Sequence, residues 1–317
     1  MRRSSLLGLL LIIIGVFFLF TLTSSSFSWD SLWSKISKDI NYERQFAVEK
    51  IEELDIETSS TNIEFVQSKD NQGRALLTGK VAGLFGKKVE LNVDEQQNKL
   101  VIRSKHNSIG IGYFSAKLVI ELPEKVWNKV TVNSTSGNIK LNHLQAAESQ
   151  IKLNSGNLTV DQLISQKADL DATSGNLKVT NSRIASLSLK TNSGGITANI
   201  MDASQIQFKS TSGNVTINGE TIVVDGKVTS GNVKLTADEI IGDSKLQVTS
   251  GNITVNLKNA PVDLAINYEG SSGTGRIKQD GFKYTYEGKH NNSFKGAFGE
   301  GSIALNVKTS SGNFTLQ

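Results

Sequence analysis

The sequence predicts an all-β protein, a single-stranded parallel β-solenoid that follows one N-terminal transmembrane helix. Three observations support this prediction: a Ser-Gly motif that recurs about every 19 residues, alternating apolar and polar residues around it, and an uncharged apolar run near the N-terminus. A motif at nearly constant spacing indicates stacked structural repeats. The repeats therefore outweigh the two separate domains that 317 residues would ordinarily suggest.

The Ser-Gly motif is clearest as TSGNLKV at 173–179. Its glycines are separated by 19, 19, 19, 19, 18, 20, 22 and 39 residues, and the last interval predicts one degenerate copy inside it. Glycine tolerates the positive φ of a tight corner, and asparagine tolerates it better than most residues. We therefore predict structural corners, besides a worn copy at Gly273, at Gly137, Gly156, Gly175, Gly194, Gly213, Gly231, Gly251 and Gly312.

Apolar and polar residues alternate on both sides of each corner. After Gly175, Leu177 and Val179 are apolar and Lys178 is polar, and the equivalent polar residue is Lys or Thr in every clear copy. Alternation with many β-branched residues predicts strands with one buried face. We infer two short strands per coil, joined by a turn of about six residues, with a serine in the angle of each Ser-Gly corner. Stacking would align an asparagine ladder and an outward Lys/Thr row.

The chain before the clear repeats is less regular. IEELDIETSSTNIEFV predicts a coil in which Thr61 replaces glycine, while Ile63 and Phe65 point inward. We assign residues 45–130 to an irregular β section that caps the first coil, and residues 131–317 to the solenoid repeats. The alternative is a two-sheet antiparallel fold with recurring hairpin turns, although such folds do not usually keep one motif at constant spacing.

The N-terminus predicts a membrane anchor. Arg2 and Arg3 precede an apolar run at 6–23, and no charge occurs from 4 to 29. This run is close to the roughly 20 residues that span a bilayer. The positive-inside rule then makes 1–5 a cytoplasmic tail and predicts a single-pass protein of the cell membrane, with the bulk of the chain extracytoplasmic. The alternative is a cleaved signal peptide.

The following segment, residues 24–44, is predicted to be a juxtamembrane amphipathic helix or linker. Trp29, Trp33 and Ile40 belong to an apolar set at helical spacing, with charged residues between them. Because the segment directly follows the anchor, we expect Trp29 and Trp33 at the membrane interface. The alternative is a linker helix that packs on the following domain.

Composition argues against several kinds of site. The chain has no cysteine, so disulfides and thiolate metal sites are excluded. Its net charge of +4 is spread along the chain and gives no nucleic-acid footprint. His106, His143 and His290 lack a second ligand at metal-binding spacing, so we expect no metal and no cofactor.

The sequence contains an acidic pair, Asp169 and Asp171, and some polysaccharide-cleaving enzymes are β-solenoids. Asp169 and Asp171 would share an outward face, but the neighbouring coils place Lys152 and Lys190 there. We expect a solvated row of mixed charge rather than a catalytic pair. Residues 289–301 form the one loop that is long enough for an unusual site, or a terminal cap.

These features resemble the bacterial putative-adhesin β-repeat family. The resemblance rests on the anchor, the stretch LVIELPEKVWNKVTVNSTSGNIKL and the serial Ser-Gly-Asn strands, and it covers roughly 45–317. Within the family, the chain is similar to the membrane-anchored LiaG-like branch of Gram-positive envelope-stress operons. The resemblance implies a β-solenoid displayed outside the membrane, and it supplies no catalytic residues.

We therefore expect a non-enzymatic scaffold or adhesin-like binding module at the cell envelope. The expected partners are the membrane, through the anchor, and a cell-wall polymer or envelope proteins, through the Lys/Thr row or the long loops. One alternative is an envelope-stress accessory protein that acts through membrane partners. The other is a glycan-processing β-helix enzyme.

Overall fold

The computed structural model describes residues 12–17, 37–83, 87–108 and 112–317. Within these ranges the protein is built almost wholly of β-strands, and one short 3-10 turn lies at Lys289–Asn291. Strands fit this sequence because apolar and polar residues alternate through most of it, which gives each strand one buried and one exposed face.

The predicted membrane segments fall mostly outside the described ranges. Residues 12–17 are helical, and among the described residues no helix is long and apolar enough to cross a bilayer. The rest of the anchor predicted at 6–23, as well as Trp29 and Trp33, lies outside the described residues. Residues 37–44 are not part of a helix, because β1 begins at Ser37 and pairs with another strand along its whole length.

The N-terminal section combines parallel and antiparallel pairs. Strand β2 pairs in parallel with both β6 and β8, whereas β4 pairs antiparallel with β1 and β7, and β5 pairs antiparallel with β6. The strands of this section are β1 (Ser37–Ala47), β2 (Glu53–Ser60), β3 (Asn62–Gln67), β4 (Gln72–Gly83), β5 (Lys87–Gln96), β6 (Lys99–Ser108) and β7 (Gly112–Leu122).

The middle of the chain forms coils that stack in parallel and in sequence order. Leu177, for example, pairs with Leu158 on one side and with Ile196 on the other, at intervals of one repeat. The strands are β8 (Val126–Ser136), β9 (Ile139–Ser155), β10 (Leu158–Ser174), β11 (Leu177–Ser193), β12 (Ile196–Asp202), β13 (Gln205–Ser212), β14 (Val215–Asn218), β15 (Thr221–Ile222), β16 (Val224–Ser230), β17 (Val233–Ala237), β18 (Glu239–Ile240), β19 (Ser244–Ser250) and β20 (Ile253–Leu257).

Each coil has two arms. We call the part before the Ser-Gly corner the first arm and the part after it the second arm. In β9, β10 and β11 one continuous strand connects the second arm to the first arm of the next coil, because a single left-handed residue makes the bend. The predicted six-residue turn is therefore wrong for these coils. Later coils divide into shorter strands, with β15 and β18 forming a small second sheet.

The C-terminal section breaks the sequential order. Strand β25 lies between β19 and β21, and β26 lies between β20 and β22, so the last coil of the chain is inserted inside the stack. The strands are β21 (Leu264–Ser272), β22 (Gly275–Ile277), β23 (Lys283–Glu287), β24 (Ser293–Phe298), β25 (Ile303–Ser311) and β26 (Phe314–Leu316).

The interval between Gly273 and Gly312 contains no degenerate coil. An antiparallel hairpin of β23 and β24 occupies it, and β24 also pairs antiparallel with β21. The prediction of a hidden repeat was therefore wrong, and residues 289–301 are not one long loop, because the 3-10 turn at Lys289–Asn291 leads into β24 at Ser293–Phe298. The sheet is thus mixed: coils stack in parallel through the middle, and antiparallel strands cover both ends.

The core is a continuous apolar interior between the two arms. Ile63 and Phe65 are each about 1% exposed, in agreement with the assignment of an early coil around Thr61. Leu177 and Val179 are buried in the same way further along the stack. Continued alternation from Ile151 and Leu153 would place Ser155 inward, but Ser155 is exposed, because the chain changes face immediately before the glycine.

Candidate interaction surfaces

The corner glycines form one column along the stack. All eight predicted corner glycines and Gly273 have φ between +108° and +144°, a conformation that residues with a Cβ rarely adopt. A Cβ on Gly175 would run into the backbone carbonyl of Gly156, and the same collision recurs at each coil. The motif is glycine because the backbones of successive coils touch there. The column therefore has a structural role, and its glycines provide no side-chain functional group for binding or catalysis.

An asparagine ladder supports this column. The backbone amide of Asn157 donates to Oδ1 of Asn138 at 2.9 Å, and the amide of Asn176 donates to Oδ1 of Asn157 at the same distance. Among the coils of the middle section, the ladder has one gap, at Gly195. Glycine has no side chain, so it offers no oxygen to the backbone amide of Asn214. Each asparagine thus fixes the backbone of the next coil at its corner.

A second corner, made by a single residue, lies six residues after the glycine, in the place where a turn of about six residues was predicted. His143, Gln162 and Asn181 have φ of 52°, 55° and 50° in three successive coils. Their side chains share no chemistry, so the sequence gives no common signal for this bend. A buried side chain stabilises the bend at Asn181. The hydroxyl of Ser182 accepts a hydrogen bond from the Leu163 amide at 3.1 Å and donates one to the Thr180 carbonyl at 2.8 Å.

The second corners form one wall of a groove with a volume of about 320 Å³. We call this the corner groove. Its floor includes Trp127, which is 1% exposed, and its rim carries Ile164 and Met201, which are 46% and 47% exposed. His143, Gln162 and Asn181 line it, together with Arg183. The corner groove therefore combines the buried Trp127 with exposed side chains that are both apolar and polar.

The charged side chains of the corner groove differ in whether they contact the rest of the protein. The Lys125 ammonium donates to the carbonyls of Val48 and Ile51, at 2.9 and 2.6 Å, and stands 4.6 Å from the centre of the Trp127 ring. The Lys125 ammonium is therefore already hydrogen-bonded within the protein. Within the part of the chain that the structure describes, Arg183 has no recorded ion pair, so it is the cation of the groove that remains accessible to a ligand.

The predicted Lys/Thr row lies on the second arm. Lys178 is in register with Thr159 on one side and with Thr197 on the other, and the row continues as threonine, then Lys234, then threonine. No two lysines of this row occupy adjacent coils. Its positive charges are therefore separated by at least two strand spacings, roughly 9–10 Å.

The first arm carries a different arrangement. Lys190 is in direct register with Lys209, and Lys209 is in register with Lys227, so three exposed lysines occupy successive coils. We call these three residues the lysine row. Like charges directly opposite each other destabilise a sheet, by up to about 1 kcal/mol per pair. Among the described residues, none of the three has a recorded ion pair with a carboxylate.

The lysine row meets mixed charge at its Lys190 end and the neutral Gln247 at its Lys227 end. Asp171 is in register with both Lys152 and Lys190, as expected for the acidic pair, and the Asp169 carboxylate lies 3.6 Å from the Lys167 ammonium. The expectation of a mixed-charge row therefore describes the coils around Asp171. It does not describe the next coils, where lysine follows lysine.

The residues with shifted pKa values hold structural contacts. The hydrogen bond from Arg74 to Glu121, at 2.9 Å, raises the pKa of the Arg74 guanidinium. Burial raises the pKa of Tyr268, whose hydroxyl lies 3.0 Å from that of Thr309. The Ser302 amide, donating at 2.8 Å, lowers the pKa of Asp263. All three contacts join one strand or turn to another, away from the corner groove and the lysine row.

Potential metal ligands are dispersed over the described residues. Within those ranges, no group of three or more His, Asp or Glu side chains is placed to hold a metal ion. His143 lies in the corner groove, His290 lies in the 3-10 turn, and His106 belongs to β6.

Stacked coils with bare glycine corners, closed by antiparallel strands, define an all-β repeat protein. The chain belongs to the Toastrack DUF4097 family, whose model matches residues 51–317. The resemblance to a putative-adhesin family agrees with this assignment at the level of the family. No curated protein matches the chain in sequence.

Several solved structures are similar to the chain at low identity. A "putative adhesin" from Bacteroides fragilis is 14% identical, with 88% of this chain and 97% of that chain covered and a TM-score of 0.46. A "Putative lipid binding protein" from Parabacteroides distasonis is 13% identical, with 87% and 97% covered and a TM-score of 0.48. A "putative cell adhesion protein" from Clostridium sporogenes is 13% identical, with 88% and 99% covered and a TM-score of 0.23.

Proposed function

We propose that this protein is a non-enzymatic binding module of the cell envelope, held at the membrane by its N-terminal segment and displayed on the extracytoplasmic side. The observation that carries the proposal is the contrast between interior and surface. The interior is a continuous apolar core, whereas the outward faces present regular rows of lysine, threonine and asparagine at a fixed spacing. Such a surface suits repeated weak contacts with an extended partner.

The position at the membrane is proposed from the sequence. The apolar run at 6–23 behind Arg2 and Arg3 supports a single-pass anchor. A LiaG-like place in an envelope-stress system is part of this proposal, with the membrane and a cell-wall polymer or envelope proteins as partners. Protease added to intact protoplasts should remove the chain beyond residue 37 and leave a short membrane-bound fragment. Protection of the whole chain would contradict the proposed topology.

The binding function is tested by photo-cross-linking in intact cells. A photoreactive amino acid would be placed at Thr197 on the second arm or at Thr211 on the first arm, both of which are exposed. We expect light-dependent conjugates with envelope material from at least one position. The matched control is Asp280, an exposed residue of the C-terminal turn away from both rows.

Two outcomes would contradict the proposed function. Conjugates that are equally abundant at all three positions would indicate random collisions rather than a binding face. Cleavage of cell-wall glycan by the purified full-length protein, abolished by Asp169→Asn together with Asp171→Asn, would establish an enzyme instead.

A further inference from the structure

We infer that the lysine row is a binding site for a linear polyanion, laid along the stack and across the strands of the first arm. The inference rests on the proposed function as a binding module and names the class of ligand that the module takes. The shared chemistry is a chain with an anionic group, phosphate or carboxylate, about every 5 Å.

The spacing of the coils sets the spacing of the charges. Strands in a sheet lie about 4.8 Å apart, so the three ammonium groups of the lysine row occupy a line roughly 10 Å long. Because the three residues are in direct register, their side chains leave the sheet on the same face and in the same direction. A polyanion of similar repeat can place one anionic group at each lysine and relieve the repulsion between neighbouring ammonium groups.

The surroundings of the row favour a linear ligand over a flat surface. Gln207 and Thr211 flank Lys209 with neutral hydrogen-bonding side chains, and Asp225 is in register with Gln207 in the next coil. A shallow depression of about 290 Å³ includes all three lysines with Gln207 and Asp225. Beyond Lys227 the row continues with neutral Gln247, and the next lysine, Lys308, is paired with Glu269 at 3.5 Å. The unpaired positive charge is thus one residue wide and three coils long.

The second arm provides an internal comparison. Lys140, Lys178 and Lys234 have the same charge and face solvent in the same sheet, yet threonines separate them from one another. Their mutual spacing does not match a polymer with closely spaced anionic groups. A site that depends on adjacency should therefore involve the first arm and leave the second arm nearly unaffected.

The test compares two triple variants of the full-length protein in detergent micelles. The first variant is Lys190→Thr, Lys209→Thr and Lys227→Thr, and the matched control is Lys140→Thr, Lys178→Thr and Lys234→Thr, which removes the same charge. Fluorescent polyphosphate, polygalacturonate and neutral dextran serve as probes. We expect the first variant to bind polyanion at least about tenfold more weakly, and the control to differ from the unmodified protein by less than about twofold. Added salt should weaken the binding of the unmodified protein.

The probes distinguish the two sources of the anion. Binding of polyphosphate alone would assign a phosphate-bearing polymer, and binding of polygalacturonate alone would assign a carboxylate-bearing polymer. Equal losses in both triple variants would overturn the inference, because net charge rather than adjacency would then control binding. Binding to phosphatidylglycerol vesicles without binding to either polymer would also overturn it and would identify a membrane-facing surface.

Failure of this inference can be told apart from failure of the proposed function. If the cross-links to envelope material from Thr197 or Thr211 persist in the Lys190, Lys209 and Lys227 variant, the protein is a binding module whose ligand is held elsewhere. If those cross-links are absent from the unmodified protein as well, the proposed function itself is wrong.

Discussion

The middle coils and the two ends of the stack follow different rules. In the middle, each coil pairs with the coil before it and the coil after it in the sequence, always in parallel. At the ends, order in space departs from order in the chain. The coil of β2 and β3 lies between β6–β7 and β8–β9, and the coil of β25 and β26 lies between β19–β20 and β21–β22.

This difference shows how a stack of identical coils can be closed. An open solenoid would leave an unpaired strand edge at each end, which is a template for aggregation. Here the first and last coils of the chain are each held on both sides, and the outermost positions are taken by segments that continue into antiparallel strands. The ends of the chain are therefore not the ends of the stack, so fraying from β26 is opposed by strands on both of its edges.

The comparison is tested most strongly by removing the inserted coil. Deletion of residues 303–317 would take away four buried apolar side chains and unpair the strands on both sides of them. Each such side chain contributes about 1.5–3 kcal/mol. We expect residues 258–302 to lose protection from hydrogen exchange, while the coils at 139–230 keep theirs.

The matched control is deletion of one complete middle coil, residues 177–195. Because Leu158, Leu177 and Ile196 occupy equivalent places, the deletion joins two coils in register. We expect a folded protein that is shorter by one coil and retains protection at both ends. If the middle deletion unfolds the chain while the C-terminal deletion is tolerated, the contrast between middle and ends is wrong.

Periodicity explains why the middle could be predicted. The constant spacing identified the corners, the alternation identified the buried positions, and stacking identified the asparagine ladder. All three depend on local geometry that repeats from coil to coil. By contrast, the insertion of β25 depends on pairing with strands far away in the chain, and no short-range pattern records that pairing. The 39-residue interval looked like two repeats only because its length was close to two periods.

The candidate site was harder to predict than the fold. Each lysine of the row stands four residues before a corner glycine, so alignment on Gly194, Gly213 and Gly231 places the three lysines at equivalent positions. The prediction of a charged row covered only the coils around Asp171, and the strand register shows that Lys209 faces Lys227 without a shift. The corner groove was missed for another reason. Its bend uses His143 in one coil and Gln162 in the next, and these residue types have no common turn signal.

A smaller effect is expected from single substitutions at two neighbouring glycine positions of the middle coils. Gly175 has a φ of +136° and its Cβ would meet a backbone carbonyl, so Gly175→Ala should reduce the free energy of unfolding by about 2–5 kcal/mol. At Gly195 the nearest atom is Asn176 Oδ1, at 3.4 Å, and the backbone is unstrained. Gly195→Ala should therefore change stability by less than about 1 kcal/mol. Equal losses in urea unfolding would disprove the view that only the corner glycine is required.

The gap in the asparagine ladder predicts a stabilising substitution. Gly195→Asn would supply an oxygen to the Asn214 amide, as the equivalent asparagines do in other coils at about 2.9 Å. One hydrogen bond of this kind contributes about 0.5–1.5 kcal/mol. We expect a gain of that size over Gly195→Ala in the same urea measurement. A loss relative to Gly195→Ala would mean that the corner does not accommodate the side chain in this coil.

The smallest expected effect concerns the turn that leads into the inserted coil. Asp263 accepts a hydrogen bond from the Ser302 amide, which lowers the pKa of this carboxyl below its ordinary value of 3.8. A lowered pKa in the folded state contributes stability that is present above the ordinary value and is lost as the pH falls through the folded value. The effect should be small because Asp263 is partly exposed to solvent. In thermal melts, the unmodified protein should exceed Asp263→Asn at pH 7, and the difference should shrink below about pH 4. The other carboxyl groups are common to both proteins, so they do not affect the difference in melting temperature. A difference that stays constant with pH would show that the charge of Asp263 does not stabilise the turn at Ser302.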